Sequence, residues 1–196
     1  MKKEGRERII KKLAGKKTLI GAALGIAVFL IIFFIFLSPT KQVSASGIQA
    51  NFAYLSTVHT SLCSSGFSTA HSFVYSKPND SYLQGSCCTA MDSVHYAEQI
   101  QGLQNYSSIQ QIPKDPYNIS VSMAKTLIGY DNISLSASQQ AVYDQAVNMS
   151  KNKGPCCCKC WRWYAFEGLA KYLITNYNYD ASQIAHIWDL EDGCGG

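Results

Sequence analysis

Beyond residue 47 this chain has no basic patch. Nine of its seventeen Lys and Arg residues lie within residues 1–41, and the remainder carries eight bases against eleven Asp and Glu, a net charge of −3. The formal charge of +4 for the whole chain is therefore misleading, and nucleic acid is not an expected partner. Long-period repeats and low-complexity tracts are absent. No P-loop, HExxH, GxSxG or GxGxxG occurs, so no catalytic constellation names a reaction and a non-enzymatic role is expected. The adjacent carboxylates Glu191 and Asp192 read as a solvated polar turn. No cysteine closely follows the apolar run near the amino terminus, which excludes a lipoprotein-type attachment.

That apolar run is the first positive feature. Residues 18–37, TLIGAALGIAVFLIIFFIFL, contain no charge. At about 1.5 Å per residue a helix of this length spans ~30 Å, the thickness of a hydrocarbon core. A chain this short has little core in which to hide such a helix on all sides. Lys2, Lys3, Arg6, Arg8, Lys11, Lys12, Lys16 and Lys17 precede it against Glu4 and Glu7, while Lys41 is the one base that follows before Lys77. Positive charge stays cytoplasmic, so the expected arrangement is single-pass in the plasma membrane, with the amino terminus inside. Four segments follow: a basic cytoplasmic stretch (1–17), a transmembrane anchor (18–37), a polar linker (38–47) and an extracytoplasmic domain (48–196). The small residues VSAS at 43–46 leave a cleaved and released product as the alternative.

Export is supported separately by five N-x-[ST] acceptor sites, at Asn79, Asn105, Asn118, Asn132 and Asn148. Nine Asn beyond residue 47, with Ser and Thr at 25 of those 150 positions, predict about one and a half such matches by chance. N-glycans at these positions are therefore expected.

Roughly 150 residues suffice for one domain with its own core. Residues 48–84 read as mixed, with short runs at 52–58 and 72–75 that resemble strands. From Cys88 onward the pattern is helical. Met91, Val94, Ala97, Ile100 and Leu103 recur every three residues and predict a helix over about 90–104. After the turn at 113–118, Ser120 caps a helix that buries Val121, Ala124, Leu127 and Ile128. Ser136 or Ser138 caps a third, with Ala141, Val142, Ala146 and Met149 inward and KNKG at 151–154 ending it. A fourth leaves the cysteine cluster and runs to about Tyr177. Asp180 and Gln183 form a capping box that opens a fifth, with Ile184, Ile187 and Trp188 inward. The expected fold class is thus mainly α: the transmembrane helix, then a small cysteine-rich domain of about five helices. Trp161, Trp163, Tyr164, Phe166, Tyr172 and Trp188 read as core, since aromatics at helical spacing dominate burial.

All eight cysteines, Cys63, Cys87, Cys88, Cys156, Cys157, Cys158, Cys160 and Cys194, lie beyond the anchor. An even count in an exported domain points to four disulfides. Their clustering points elsewhere: four fall within five positions and two more are adjacent, whereas staples gain most by closing long loops. Cys156-x-Cys158 and Cys157-x-x-Cys160 each place two sulfurs within reach of one soft ion, and copper or zinc fits such ligands. The cluster also precedes a helix, where the dipole, Lys159 and Arg162 all favour thiolate.

Trp161 follows Cys160 where c-type haem attachment needs His. The adjacent Cys87 and Cys88 are poorly spaced as the second pair of a zinc finger, and thioredoxin chemistry wants a βαβ setting. His59, His71, His95 and His186 are each more readily surface residues than ligands, although His71 and His95 flank the Cys87–Cys88 pair.

Pro155-Cys156-Cys157-Cys158-Lys159-Cys160 is similar to the P-C-Y-C-G-C motif of small exported, membrane-attached proteins of unknown function. Pro155, Cys156, Cys158 and Cys160 match; Cys157 and Lys159 stand where that motif has Tyr and Gly. Ser182-Gln183-Ile184 resembles the opening of that family's later helix, while its following His and Cys positions have no counterpart here. The resemblance implies a metal-related role outside the cell.

Three readings follow. One is a soft-metal module with Cys156, Cys158 and Cys160 as first ligands, completed from Cys157, Cys87, Cys88, Cys194 and His71. The second is a disulfide-stapled structural or interaction domain with a protein partner at the cell surface, its cluster reaching Cys63, Cys87, Cys88 and Cys194. The third is a thiol–disulfide oxidoreductase.

Overall fold

Short polar side chains standing just ahead of apolar-periodic stretches determine where helices begin. In the computed structural model, which describes residues 44–60, 63 and 65–195, seven α-helices and two short strands occur among the described residues. The helices are α1 (Ala45–Leu55), α2 (Gly66–Tyr75), α3 (Ser93–Leu103), α4 (Val121–Gly129), α5 (Ala137–Met149), α6 (Trp161–Tyr177) and α7 (Ala181–Leu190). Strands β1 (Tyr82–Gln84) and β2 (Asn118–Ser120) pair antiparallel, with Leu83 opposite Ile119. Ser44, Asp92, Ser120, Ser136 and Asp180 each accept the amide three residues on, satisfying a helix-start donor worth about 1 kcal/mol. At Ser136 and Asp180 the capping box is reciprocal, through Gln139 and Gln183.

The mainly helical, cysteine-rich expectation holds, with α3 to α7 as the five helices read from the sequence. The stretch 48–84 differs: it carries two further helices, α1 and α2, where strand-like runs were expected. Each buries only two residues, Ile48 and Leu55 in α1 and Ala70 and Val74 in α2, too few to mark a helical period. Helix α1 also begins at Ala45, within the segment read as linker. The expected basic segment (1–17) and membrane span (18–37) lie outside the described residues. Among the described residues no helix is long and apolar enough to cross a membrane.

Helix α6 is central. It packs against α2, α4, α5 and α7, and Trp161, Ala165, Phe166, Leu169, Ala170, Leu173 and Ile174 are buried along it. With Val121, Ala124, Leu127 and Ile128 of α4 and Ile184, Ile187 and Trp188 of α7, these form the main core. Of the six aromatics read as core, Trp161, Phe166 and Trp188 are buried, and Tyr164 and Tyr172 pack partly buried against it. A second core joins Ile48 and Leu55 to Met91, Tyr96, Ile100 and Tyr117.

Two expected faces shift. In α3 the buried side is Tyr96, Gln99, Ile100 and Leu103, while Val94 is exposed, because a strict three-residue spacing drifts off a 3.6-residue turn. In α5 only Ala146 is fully buried, and Ala141 and Met149 face solvent.

Candidate metal centre

Three loops converge on the sulfur. The first, following β1, carries Cys87 and Cys88. Gly85 starts it: its amide donates to the Tyr117 carbonyl (2.9 Å), its φ of +76° lies in the left-handed region, and any Cβ would overlap the Val58 carbonyl. The second, leading into α6, carries Cys156, Cys157, Cys158 and Cys160, the last being the N-cap residue. The third follows α7 and carries Cys194. Main-chain bonds tie the first loop to the third: Cys87 N–H donates to the Gly193 carbonyl (3.0 Å) and Thr89 N–H to the Cys194 carbonyl (2.8 Å). Tyr117 Oη donates to the Gly195 carbonyl (2.9 Å), and Cys194 N–H to Asp192 Oδ1 (3.1 Å).

The sulfurs form a continuous chain of contacts. Cys88 Sγ lies 2.6 Å from Cys63 Sγ, 3.5 Å from Cys87 Sγ, and 3.4 Å from both Cys157 and Cys158 Sγ. Cys157 and Cys194 form a disulfide with Cα atoms 6.4 Å apart. Cys156 Sγ sits 3.3 Å and Cys87 Sγ 3.9 Å from Cys194 Sγ. Cys87, Cys156, Cys160 and Cys194 make a small sulfur core of their own, with Cys158 and Trp163 packed on it.

Within this cluster two sets of four sulfurs each fall inside a 4.8 Å span: Cys63, Cys87, Cys88 and Cys158, and Cys87, Cys156, Cys157 and Cys194. Every member of the first is a free thiol; Cys63 and Cys88 are exposed, Cys158 half-buried and Cys87 buried. That set has one buried anchor and three ligands reachable from solvent.

Seven of the eight residues named from the sequence as metal candidates therefore meet in one sulfur cluster. Cys160 belongs to its buried core but to neither four-sulfur set, and Cys63, expected only as a staple partner, enters the first. His71 belongs to neither set; its ring stacks on Tyr75 at 3.9 Å. The histidine brought close is His59, which pairs with Ser86 in an isolated bridge and lines an open depression with Cys87, Cys88, Thr89 and Ala90. Its distance along the chain gave no sequence signal for this.

Hydrogen bonding among the thiols divides them. Cys156 is pushed far up because it donates to Cys158, Cys160 and Cys87 and is buried. The bond from Cys156 holds Cys158 down at about 6. Cys160 is held far below the ordinary thiol value by bonds from Cys156 and Cys87, helped by the Arg162 guanidinium. Desolvation raises Cys63 to about 12 and also raises Cys88. Low-pKa thiols thus occur at the helix start as the sequence suggested, but neighbouring thiols are the larger cause.

Arg162 is the buried cation of the region. Its side chain is fully buried, Nη2 donates to the Gly85 carbonyl (2.7 Å), and its charge helps lower Cys160 while only partly offsetting the upward shifts of Cys87, Asp115 and Glu191. Glu191 corrects the sequence reading. It is fully buried rather than solvated, burial drives its pKa well up, and neither carboxylate oxygen has a hydrogen-bond partner. Asp192 is engaged as well, accepting from Asn152 Nδ2 at 2.8 Å. The turn is drawn inward because the third loop must reach Cys87.

Comparison with known proteins gives no relative: no family model matches the chain, and neither a curated protein nor a solved structure matches it.

Proposed function

We propose that this chain is a membrane-tethered, extracytoplasmic, non-enzymatic module that binds one soft metal ion, zinc(II) or copper(I), through Cys63, Cys87, Cys88 and Cys158. The observation that carries this reading is the set of four free thiols within 4.8 Å of one another, open to solvent on one side. A tetrahedral zinc–thiolate site, with Zn–S near 2.3 Å, needs sulfurs roughly 3.8 Å apart. The 3.4 and 3.5 Å separations from Cys88 to Cys158 and Cys87 are close to that, and Cys63 has to withdraw from Cys88 by about 1 Å. Cys158 supplies a thiolate near neutral pH. The likeness of residues 155–160 to the P-C-Y-C-G-C motif supports the same role.

Tethering rests on the run at 18–37 and its basic flank, and extracytoplasmic placement on that charge asymmetry and the acceptor sites. Asn79, Asn105, Asn132 and Asn148 are exposed, as glycan acceptors must be, whereas Asn118 is half-buried in β2 and accepts from Gln84 Nε2 (3.1 Å).

A second reading has its own observation. The 2.6 Å approach of Cys63 to Cys88, beside the Cys157–Cys194 disulfide, favours a disulfide-stapled interaction domain. One measurement separates the two. The full chain, purified in detergent from an oxidising compartment, is assayed for free thiols under denaturing conditions and for metal by elemental analysis. Several free thiols with about one zinc or copper per chain support the metal site. No free thiol and no metal overturns it in favour of the staple.

A further inference from the structure

The second four-sulfur set contains its own lock. Cys157 and Cys194 are bonded to each other, so two of its four sulfurs cannot ligate, while Cys156 and Cys87 wait beside Cys194 at 3.3 and 3.9 Å. We infer that reduction of the Cys157–Cys194 bond opens a second soft-metal site, Cys87, Cys156, Cys157 and Cys194, which shares Cys87 with the first. The state of one disulfide then sets whether the domain holds one ion or two. This rests on the metal-binding reading above.

Three features carry the inference. The loops bearing these sulfurs are held by bonds that do not pass through sulfur: Cys87 N–H to the Gly193 carbonyl and Thr89 N–H to the Cys194 carbonyl join the first and third, while Asn152 Nδ2 to Asp192 Oδ2 (2.8 Å) and Arg162 Nη2 to the Gly85 carbonyl (2.7 Å) fasten the chain on either side of the second. Cleaving the disulfide therefore leaves the four sulfurs gathered.

Access is one-sided. Cys87, Cys156 and Cys194 are buried and Cys157 is exposed, so a reductant reaches the bond at Cys157.

Charge also fits. Two divalent ions on seven thiolates leave a net negative cluster, and a bridging thiolate at Cys87 lies two residues from Gly85, whose carbonyl accepts from the buried Arg162 guanidinium at 2.7 Å.

The chemistry balances with a dithiol as reductant. One thiolate of the dithiol attacks Cys157 Sγ, and the S–S bond breaks with its electron pair leaving on Cys194. The second thiolate of the dithiol then displaces Cys157. Two electrons pass to the protein, the dithiol becomes a disulfide, and the two new protein thiols give up their protons when the metal enters.

The test is zinc stoichiometry of the full chain in detergent, loaded with zinc(II) before dithiol treatment and again after the dithiol has been removed. The expected content is about one zinc per chain rising to about two. Cys156→Ser is expected to hold one in both states, and Cys63→Ser none at first and one after reduction. A cobalt(II) titration, read by thiolate charge-transfer absorption, checks that each variant still builds a sulfur site. Equal stoichiometry in the two states, whether one or two, overturns the inference and leaves the first site standing. No metal before reduction, and one afterwards that Cys156→Ser abolishes, overturns the first site and keeps the second. No metal in either state overturns both.

Discussion

The Cys87 amide donates to the Gly193 carbonyl over 3.0 Å, joining the loop after β1 to the loop after α7. Residues 106 positions apart in the chain are thereby placed side by side by their main chains. Sulfur chemistry is added to a frame that other bonds have assembled, which is what a ligand set needs to bind without a large ordering cost.

Gly193→Ala tests that frame. A Cβ there would lie inside contact distance of the Arg162 side chain, 2.7 Å from Cδ and 2.9 Å from Cζ. Arg162 is buried and held by Gly85, so it cannot swing aside. A loss of about 1–3 kcal/mol is expected in a denaturant melt. Gly129→Ala, where nothing lies within 4 Å, should leave stability unchanged or raise it by up to about 1 kcal/mol. Equal behaviour of the two variants would dismiss the close packing at Gly193.

Thiol reactivity should invert the order that exposure alone suggests. Cys158 is half-buried but held down at about 6, whereas exposed Cys63 is raised to about 12. Since the thiolate is the nucleophile, iodoacetamide at pH 7 should modify Cys158 well before Cys63, as read by peptide mapping of metal-free protein. The stability that Cys158 contributes has a defined sign. Its folded pKa lies below the ordinary 9.0, so that contribution is complete above pH 9 and is lost as pH falls through about 6. Faster labelling at Cys63 would refute the thiol network.

Arg162 and Glu191 should be coupled. Burial raises the Glu191 pKa above 4.5, so its carboxyl penalises folding progressively as pH rises past that value. Glu191→Gln should remove that decline, making the variant relatively more stable at pH 8 than at pH 4. Arg162→Met should cost about 3–5 kcal/mol, because it strands buried partners. The double variant should lose less than the two single effects combined. Strict additivity in thermal melts across this cycle would show that the two charges do not interact.

Glycosylation should follow exposure. In a eukaryotic secretory host, Asn79, Asn105, Asn132 and Asn148 are expected to carry glycans, and Asn118, paired with Gln84 in β2, to remain bare. Site-by-site Asn→Gln variants, compared by mobility before and after glycosidase treatment, read this directly. Occupancy of Asn118 would show that β2 is not formed when the transferase acts.

The helical half was legible because its signals are local. Ser120, Asp180 and Gln183 fall where capping rules place them, and Val121, Ala124, Leu127 and Ile128 occupy one face of α4. Helices α1 and α2 were not legible, since two buried residues apiece do not make a period. The site was legible in its ingredients and not in its grouping. Clustering singled out Cys156, Cys157, Cys158 and Cys160, but only tertiary contact brings in Cys63 and His59 and leaves His71 aside. Glu191 misled for a related reason: a carboxylate beside another in a Gly-containing turn looks solvated until Arg162, itself a local neighbour of the cysteines, is found beneath it.

Trp163 lies against the sulfur core, while Trp188 sits in the main core and donates through Nε1 to the Phe166 carbonyl (3.0 Å). Sulfur in contact with an excited indole drains its emission, and does so differently as thiol, disulfide or metal thiolate. The three tryptophans thus divide between the two cores, Trp163 against the sulfur and Trp161 and Trp188 in the main core, so a change in emission on metal loading or reduction is expected to come chiefly from Trp163.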